Sequence, residues 1–470
     1  MLFSRALIFL ATSLVVARPH KPSTEQHGDV VYNVYHHAAT RSKLSFVKNS
    51  GICETTPGVN QYSGYLSVGE DANMFFWFFA SRNNPKTAPL VSWFGGGPGS
   101  SAQYGMFTQH GPCEILKDST EPTLREHSLN NFANVLYIDQ PIGTGFSFGD
   151  GGAVNSTKAC SPYVWKFLQL WFEAFPEYEN RQLSVFSGSY GGHTGTDIVN
   201  YILDKNQEIK AGGISGDVIE VVALSVNNGW FDAKIQDKAN IEYALENPYR
   251  PLIDQSLYEK LMVDYNTIIV PGIDKCDKTG TTEDCYAAYR AYQFNIEQAI
   301  QRSTVKTYSD FVLADIQAGG ARPPTGHVKY LQRADVQNAI GAMVNYRDMG
   351  NPMAVLRSGD DTKSFLPELS RIIQDGIQVL IWAGDSDNVC NWVGNKRVAD
   401  AVEWSQQKPF SNQKLQPYTV NGKEKGSYKS VGNLHFARVF DAGHSVWWYQ
   451  PETSLQITTQ LLSRKGIFST

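Results

Sequence analysis

From position 62 onward the chain is built from short apolar runs separated by turn clusters. Residues 75–80, 90–94, 135–138, 183–186, 218–226 and 379–383 are continuous in apolar character rather than alternating. Runs of that length bounded by Gly, Pro, Asn and Asp predict strands covered on both faces, as in the interior of a parallel sheet. Residues 163–175 and 194–203 carry helical spacing instead. Strand and helix patterns that alternate in this way predict an α/β fold, with a mostly parallel central sheet, helices on both faces and right-handed crossovers.

The pattern changes between about 233 and 331, where prolines, short helical stretches and two cysteines replace the apolar runs. A helical stretch is expected near 287–301, and strand character returns at 379. This region is expected to be a cap inserted over the sheet, the alternative being a long helical part of the core itself. The expected organisation is then 1–17 as a signal peptide, 18–50 as an N-terminal arm or pro-segment, 51–232 as the first part of the core, 233–331 as the cap, and 332–470 as the second part of the core. A chain of 470 residues suits one large domain with an insertion, or two domains.

Arg5 followed by an apolar run from Ala6 to Val16 and by Val15-Val16-Ala17 has the form of a secretory signal. The run is short for a bilayer span, the alternative being an uncleaved anchor. The expected mature protein starts near Arg18 and is secreted or otherwise extracytoplasmic, with no membrane contact. Six cysteines are an even number, which in a secreted chain suggests disulfides. Cys276 and Cys285 enclose a polar segment and are expected to close a local loop, whereas the pairing of Cys53, Cys113, Cys160 and Cys390 stays open. Their spacing is not that of a zinc site, and no metal or cofactor is implied. Asn155-Ser156-Thr157 is a glycosylation sequon in a polar, Gly-rich stretch. The formal net charge of −5 offers no basic footprint for nucleic acid.

Four segments carry candidate chemistry. Val185-Phe186-Ser187-Gly188-Ser189-Tyr190-Gly191-Gly192 reads as a strand, a sharp turn and a helix. That shape lifts the hydroxyl of Ser189 above the sheet as a nucleophile elbow, with Ser187 where glycine is usual; the alternative is a Ser/Gly-rich turn. Trp93-Phe94-Gly95-Gly96-Gly97-Pro98-Gly99 is a strand that ends in a glycine run. Such a loop can present backbone N–H groups to an oxyanion, here Gly97 together with Tyr190 after the nucleophile. The run 379–387 ends in Asp385-Ser386-Asp387, and Phe440-Asp441-Ala442-Gly443-His444 places a histidine after another strand end. The chain order Ser, Asp, His is that of α/β-hydrolases, in which the histidine relays the serine proton and the aspartate fixes its tautomer.

Together these segments resemble the serine carboxypeptidase family, and especially its fungal secreted branch, over most of the mature chain. Asp139-Gln140-Pro141-Ile142-Gly143-Thr144-Gly145-Phe146-Ser147, Phe175-Pro176-Glu177-Tyr178, Asn228-Gly229-Trp230, Gly384 to Asp387 with Cys390-Asn391, and Gln450-Pro451 also match that family. The resemblance implies an α/β-hydrolase fold, Ser189, Asp387 and His444 as the triad, a structural Asp385, and release of C-terminal residues from peptides.

The departures from the family pattern gather on the substrate-binding side. The family grips the substrate's free carboxylate with an asparagine where this chain has Gly95, just before Gly96 and Gly97. It also uses a glutamate where this chain has Gly188, and a second glutamate where this chain has Gln109. After the triad histidine comes Ser445 in place of methionine or glutamate, and Trp447 in place of proline. Two close carboxyls that share a proton act as a donor toward a carboxylate; without them the incoming carboxylate loses its clamp. His110 or Ser445 could substitute. The resemblance therefore implies a peptide substrate by default, with a small-molecule esterase, lactonase or acyltransferase as the rival. A non-catalytic binding protein is the third reading. The oligomeric state is open.

Overall fold

The computed structural model describes residues 23–37, 42–150, 154–179, 181–307 and 323–470. The expected signal peptide, 1–17, lies outside them. Among the described residues, one sheet of fourteen strands organises the chain. Its labelled strands are β1 (Ser23–His27), β2 (Val30–His37), β3 (Ser42–Lys48), β4 (Gln61–Gly69), β5 (Ala72–Phe79), β6 (Leu90–Phe94), β7 (Asn134–Ile138), β8 (Leu183–Gly188), β9 (Val221–Asn227), β10 (Gln378–Gly384), β11 (Gln416–Val420), β12 (Lys423–Val431) and β13 (Leu434–Val439). The spatial order is β1-β2-β3-β4-β5-β7-β6-β8-β9-β10-β13-β12-β11, with the short strand Phe148–Gly149 beside β5.

The centre of the sheet, from β7 through β6, β8, β9 and β10 to β13, is parallel throughout. Its flanks are antiparallel, so the whole sheet is mixed. The reason is connection length. Sequential neighbours such as β1 and β2, β4 and β5, and β11 and β12 reverse direction through short connections, whereas parallel neighbours need a crossover. The N-terminal segment expected as an arm supplies β1, β2 and β3, and β3 pairs with β4 residue by residue from Leu44 to Lys48.

The continuous apolar runs are buried on both faces. In β5, Phe76 and Phe78 face a core shared with the helices Thr157–Ala174 and Gly191–Lys210. Phe75, Trp77 and Phe79 face a second core with Phe107, Leu455 and Leu461. All five aromatics are fully buried, which the period-two geometry of a strand requires once both faces are covered. Strand β9 begins at Val221; the exposed Val218 that the apolar run had included lies before it.

Between β9 and β10 the described chain is helical, from Ala233–Leu245 to Leu366–Gln374. A third apolar cluster, with Ile241, Leu261, Ile269 and Ile296, packs there against Tyr190 and Trp230 at the end of the sheet. Cys276 and Cys285 are bonded to each other, as are Cys53 and Cys113; Cys160 and Cys390 are buried thiols. Among the described residues no helix is long and apolar enough to cross a membrane.

The two disulfides close loops of different length, with sequence separations of 60 and 9. Loop-closure entropy then predicts a larger loss for replacing Cys53 and Cys113 by Ala, about 4 kcal/mol, than for replacing Cys276 and Cys285, about 2.7 kcal/mol. Urea unfolding of the two double variants checks the order.

Candidate active site

Gly95, Gly96, Gly97, Gly188, Ser189, Tyr190, Asp387, His444 and Ser445 emerge at or just beyond the carboxyl ends of sheet strands, where ligands bind in open α/β sheets, whereas Gln109 lies in the helical segment Met106–His110. Ser189 follows β8 directly and adopts φ 59°, a left-handed conformation for a residue with a side chain. Hydrogen bonds hold it there. Its N–H donates to the Asn227 carbonyl at 3.0 Å, and its own carbonyl accepts from Trp230 at 2.8 Å and from Gly192 at 3.0 Å. The helix Gly191–Lys210 starts immediately afterwards.

Ser187, which replaces the usual glycine, has a visible task. Its hydroxyl donates to the Phe94 carbonyl at 2.8 Å and ties the end of β8 to the end of β6. A Cβ on Gly191 would lie 1.9 Å from that hydroxyl oxygen, so Ser187 requires a glycine there. The loop after β6 comes equally close: a Cβ on Gly96 would lie 2.5 Å from the Gly188 carbonyl oxygen and 2.7 Å from the Ser189 Cβ. Gly97 adopts φ 108°. Asp139, fully buried after β7, fastens the far end of this loop by accepting from the Ser101 hydroxyl at 2.6 Å and from Ala102 N–H at 2.9 Å. Burial pushes the Asp139 carboxyl up to about 6 against these donors.

His444 and Asp387 meet at the ends of β13 and β10. His444 Nδ1 lies 2.7 Å from Asp387 Oδ2. Asp387 is fully buried and further accepts from Asn228 Nδ2 at 2.7 Å, Val389 N–H at 2.9 Å and Cys390 N–H at 3.3 Å. A buried carboxylate needs this many donors. Asp385 is separate from this cluster. It accepts from Tyr249 at 2.5 Å and pairs with Arg438 at 2.9 Å, and burial raises its carboxyl above the ordinary range. Asn227 and Asn228, at the end of β9, carry much of the local architecture. For Asn227 the sequence offered only a strand ending in consecutive polar residues as a signal, whereas Asn228 stood within the family match Asn228-Gly229-Trp230.

Two cavities meet at Ser189. One is lined by Ser189, His444, Gly95, Gly96, Gly97, Gly188 and Gln109, together with Trp93, Asn227 and Asp348. The other is lined by Ser189, Gly97 and Tyr190, together with aromatic Trp230, Tyr289 and Tyr292 and acidic Glu297 and Asp361. The candidate oxyanion donors Gly97 and Tyr190 thus flank Ser189 in the second cavity. Ser445 lines neither cavity. It is buried at the start of the helix Val446–Tyr449, because the chain turns inward directly after His444. His110 is also away from the cavities. It is buried against Trp93, Tyr137 and Trp447, and burial pushes its imidazole down to about 3. A Cβ on Gly95 would meet the Ser100 carbonyl oxygen at 2.1 Å, and one on Gly188 would meet Asn227 Oδ1 at 2.7 Å. Asn155 is exposed just before the helix Thr157–Ala174. Among the described residues no group of three or more His, Cys, Asp or Glu is placed to hold a metal ion.

This arrangement on this sheet is that of an α/β-hydrolase, and the comparisons narrow the class. The serine carboxypeptidase family model matches residues 51–464. Carboxypeptidase S1 of Penicillium janthinellum is 48% identical over 429 residues, covering 90% of this chain and 100% of that protein. Carboxypeptidase Y of Schizosaccharomyces pombe is 34% identical, over 85% of this chain and 40% of that protein. The crystal structure of a prohormone-processing carboxypeptidase from Saccharomyces cerevisiae, at 22% identity, superposes with a TM-score of 0.73 over 90% of this chain and 96% of the other. The chain belongs to the serine carboxypeptidase family and is a serine hydrolase.

Gly191→Ala is expected to destabilise the protein by about 1–3 kcal/mol through overpacking, and Ser187→Gly to relieve the clash in the double variant; thermal unfolding of the three variants checks this. A second expectation concerns pH. Burial first, and then the charges of Glu297 and Asp360, push the Asp361 carboxyl from 3.8 up to about 7. The folded state therefore holds a proton that the unfolded chain releases. The stability it contributes is full below the unfolded value and is lost as pH rises through about 7. Asp361→Asn should raise the melting temperature at pH 8 and leave it unchanged near pH 3.

Proposed function

We propose that this enzyme is a secreted peptide hydrolase of the carboxypeptidase type that works through an acyl-Ser189 intermediate. The observation that carries the proposal is the 2.7 Å pairing of His444 with the buried Asp387, with His444 on the wall of the cavity that also holds Ser189. A serine hydroxyl needs such a base to act as a nucleophile. In the proposed reaction His444 takes the proton as the Ser189 oxygen adds to the peptide carbonyl. The N–H groups of Gly97 and Tyr190 receive the developing oxyanion. The carbon–nitrogen bond then breaks, and His444 returns the proton to the departing amine. Water repeats the sequence from the emptied side and releases the acid. Asp387 keeps the imidazole in the required tautomer and stabilises its charged form.

Two disulfides and an exposed sequon asparagine support passage through the secretory pathway. The acyl part of the substrate is assigned to the aromatic cavity beside Tyr190, and the leaving group to the cavity beside His444. A second reading, an esterase, lactonase or acyltransferase on a small molecule, is favoured by the replacement of the carboxylate clamp by Gly95, Gly188 and Gln109.

A fluorophosphonate probe should label the folded protein at Ser189, as peptide mapping by mass spectrometry would register, and should not label Ser189→Ala. Asp387→Asn should keep the fold and lower turnover by about four orders of magnitude. Folded protein that resists the probe would favour a binding protein.

A further inference from the structure

The cavity beside His444 has an unusual polar balance. Asn227 is 2% exposed; its Nδ2 donates to the His444 carbonyl at 3.2 Å, which leaves its Oδ1 buried without a donor. Gln109 is 7% exposed, and its Oε1 likewise has no donor. Both residues line the cavity. Asp348 adds a carboxylate to the same wall, its side chain 37% exposed. Burial works against that charge, but His327 Nε2 at 2.9 Å and the Tyr346 hydroxyl at 2.8 Å hold the carboxyl below the usual range. The one buried side-chain donor without an acceptor on this wall is Trp93 Nε1, 4% exposed. Among the described residues no lysine or arginine lines this cavity.

A group that enters here lies beside the Asp348 carboxylate, with no lysine or arginine on the wall to offset it. A carboxylate would face that charge, which costs binding. A carboxamide carries no charge and can donate N–H groups toward the acid, so it matches the wall in sign. Nor does the backbone leave room for the missing amide clamp, since the Cβ of an asparagine at 95 would meet the Ser100 carbonyl oxygen at 2.1 Å.

We infer that the leaving-group cavity formed by Asn227, Gln109, Asp348 and Trp93 accepts a C-terminal residue whose carboxyl is blocked as an amide, in preference to a free acid. The inference rests on the acyl-Ser189 reading above. The balanced reaction is peptidyl-amino-acid amide plus water giving the shortened peptide acid and the free amino-acid amide. The bond that breaks is the peptide bond before the last residue. The leaving nitrogen takes a proton by way of His444, and the hydroxyl of water stays on the acyl carbon.

The test compares one N-blocked dipeptide as the free acid and as the carboxamide, measuring release of the amino acid or of its amide by mass spectrometry. Fluorophosphonate labelling at Ser189 is run in parallel. The expected result is a kcat/KM about ten-fold or more higher for the amide, within what juxtaposed like charges impose. Asp348→Asn should narrow the ratio. So should Met349→Lys, which places a cation on the wall from a residue that is 49% exposed. A free acid turned over as fast as the amide, or faster, overturns the inference while leaving the acyl-enzyme reading intact. An amide preference that neither variant narrows also overturns it, because the preference then does not arise from the charge of this wall. Labelled protein that cleaves neither substrate overturns it as well, and unlabelled protein that cleaves neither overturns both readings.

Discussion

Two backbone turns approach each other within van der Waals distance at the carboxyl ends of β6 and β8, and the rest of the site is arranged around that approach. Gly96 lies against Gly188 and Ser189 so closely that one added carbon would strike both. Ser187 fixes the separation with a hydrogen bond to the Phe94 carbonyl, and Gly191 makes room for Ser187. The result is a serine in a left-handed conformation with a glycine loop beside it. Neither turn is stable in this form alone. Parallel register between the two strands aligns Ser187 with Phe94, so the sheet sets the distance on which the chemistry depends.

Electrostatics divide the ground around Ser189. Both cavities carry acids on their walls, Glu297 and Asp361 on one side and Asp348 on the other, and among the described residues His444 is the sole basic side chain lining either. The acids differ in state. Asp348 has donors and stays charged. Asp361 sits beside Glu297 and Asp360, and its proton is retained into the neutral range. Charge here is therefore set by which carboxyls find hydrogen-bond donors.

The central strands were legible because being buried on both faces leaves an unmistakable apolar run, as in β5, β6 and β7. Ser189, Asp387 and His444 were legible because each follows such a run at a turn, and the structure brings His444 and Asp387 into contact. The strands β1 to β3 at one side of the sheet were not. β1 is largely exposed and β3 only partly buried, so the apolar pattern there is weak. Asn228 was marked by the resemblance through Asn228-Gly229-Trp230, but its role was not: it matters through its contact with Asp387, 159 positions away, and nothing local in its sequence marks that contact. The pocket walls at Gly95 and Gly188 were not legible from the absence of a side chain. Space depends on what the neighbouring backbone does, and at Gly95 the Ser100 carbonyl fills it. The same holds for Ser445, whose position next to His444 in sequence does not carry it to the wall.

The meeting of two cavities at a single serine has a kinetic meaning. On an acyl-enzyme mechanism the first half-reaction empties the cavity beside His444, while the acyl portion remains tethered in the aromatic one. The vacated side then holds whatever enters it next, at an effective concentration set by its own affinity rather than by bulk solution. Water and a bound amine or alcohol compete for the same ester from the same direction. The ratio of hydrolysis to transfer becomes a property of one cavity wall, adjustable there without altering how the acyl group is recognised.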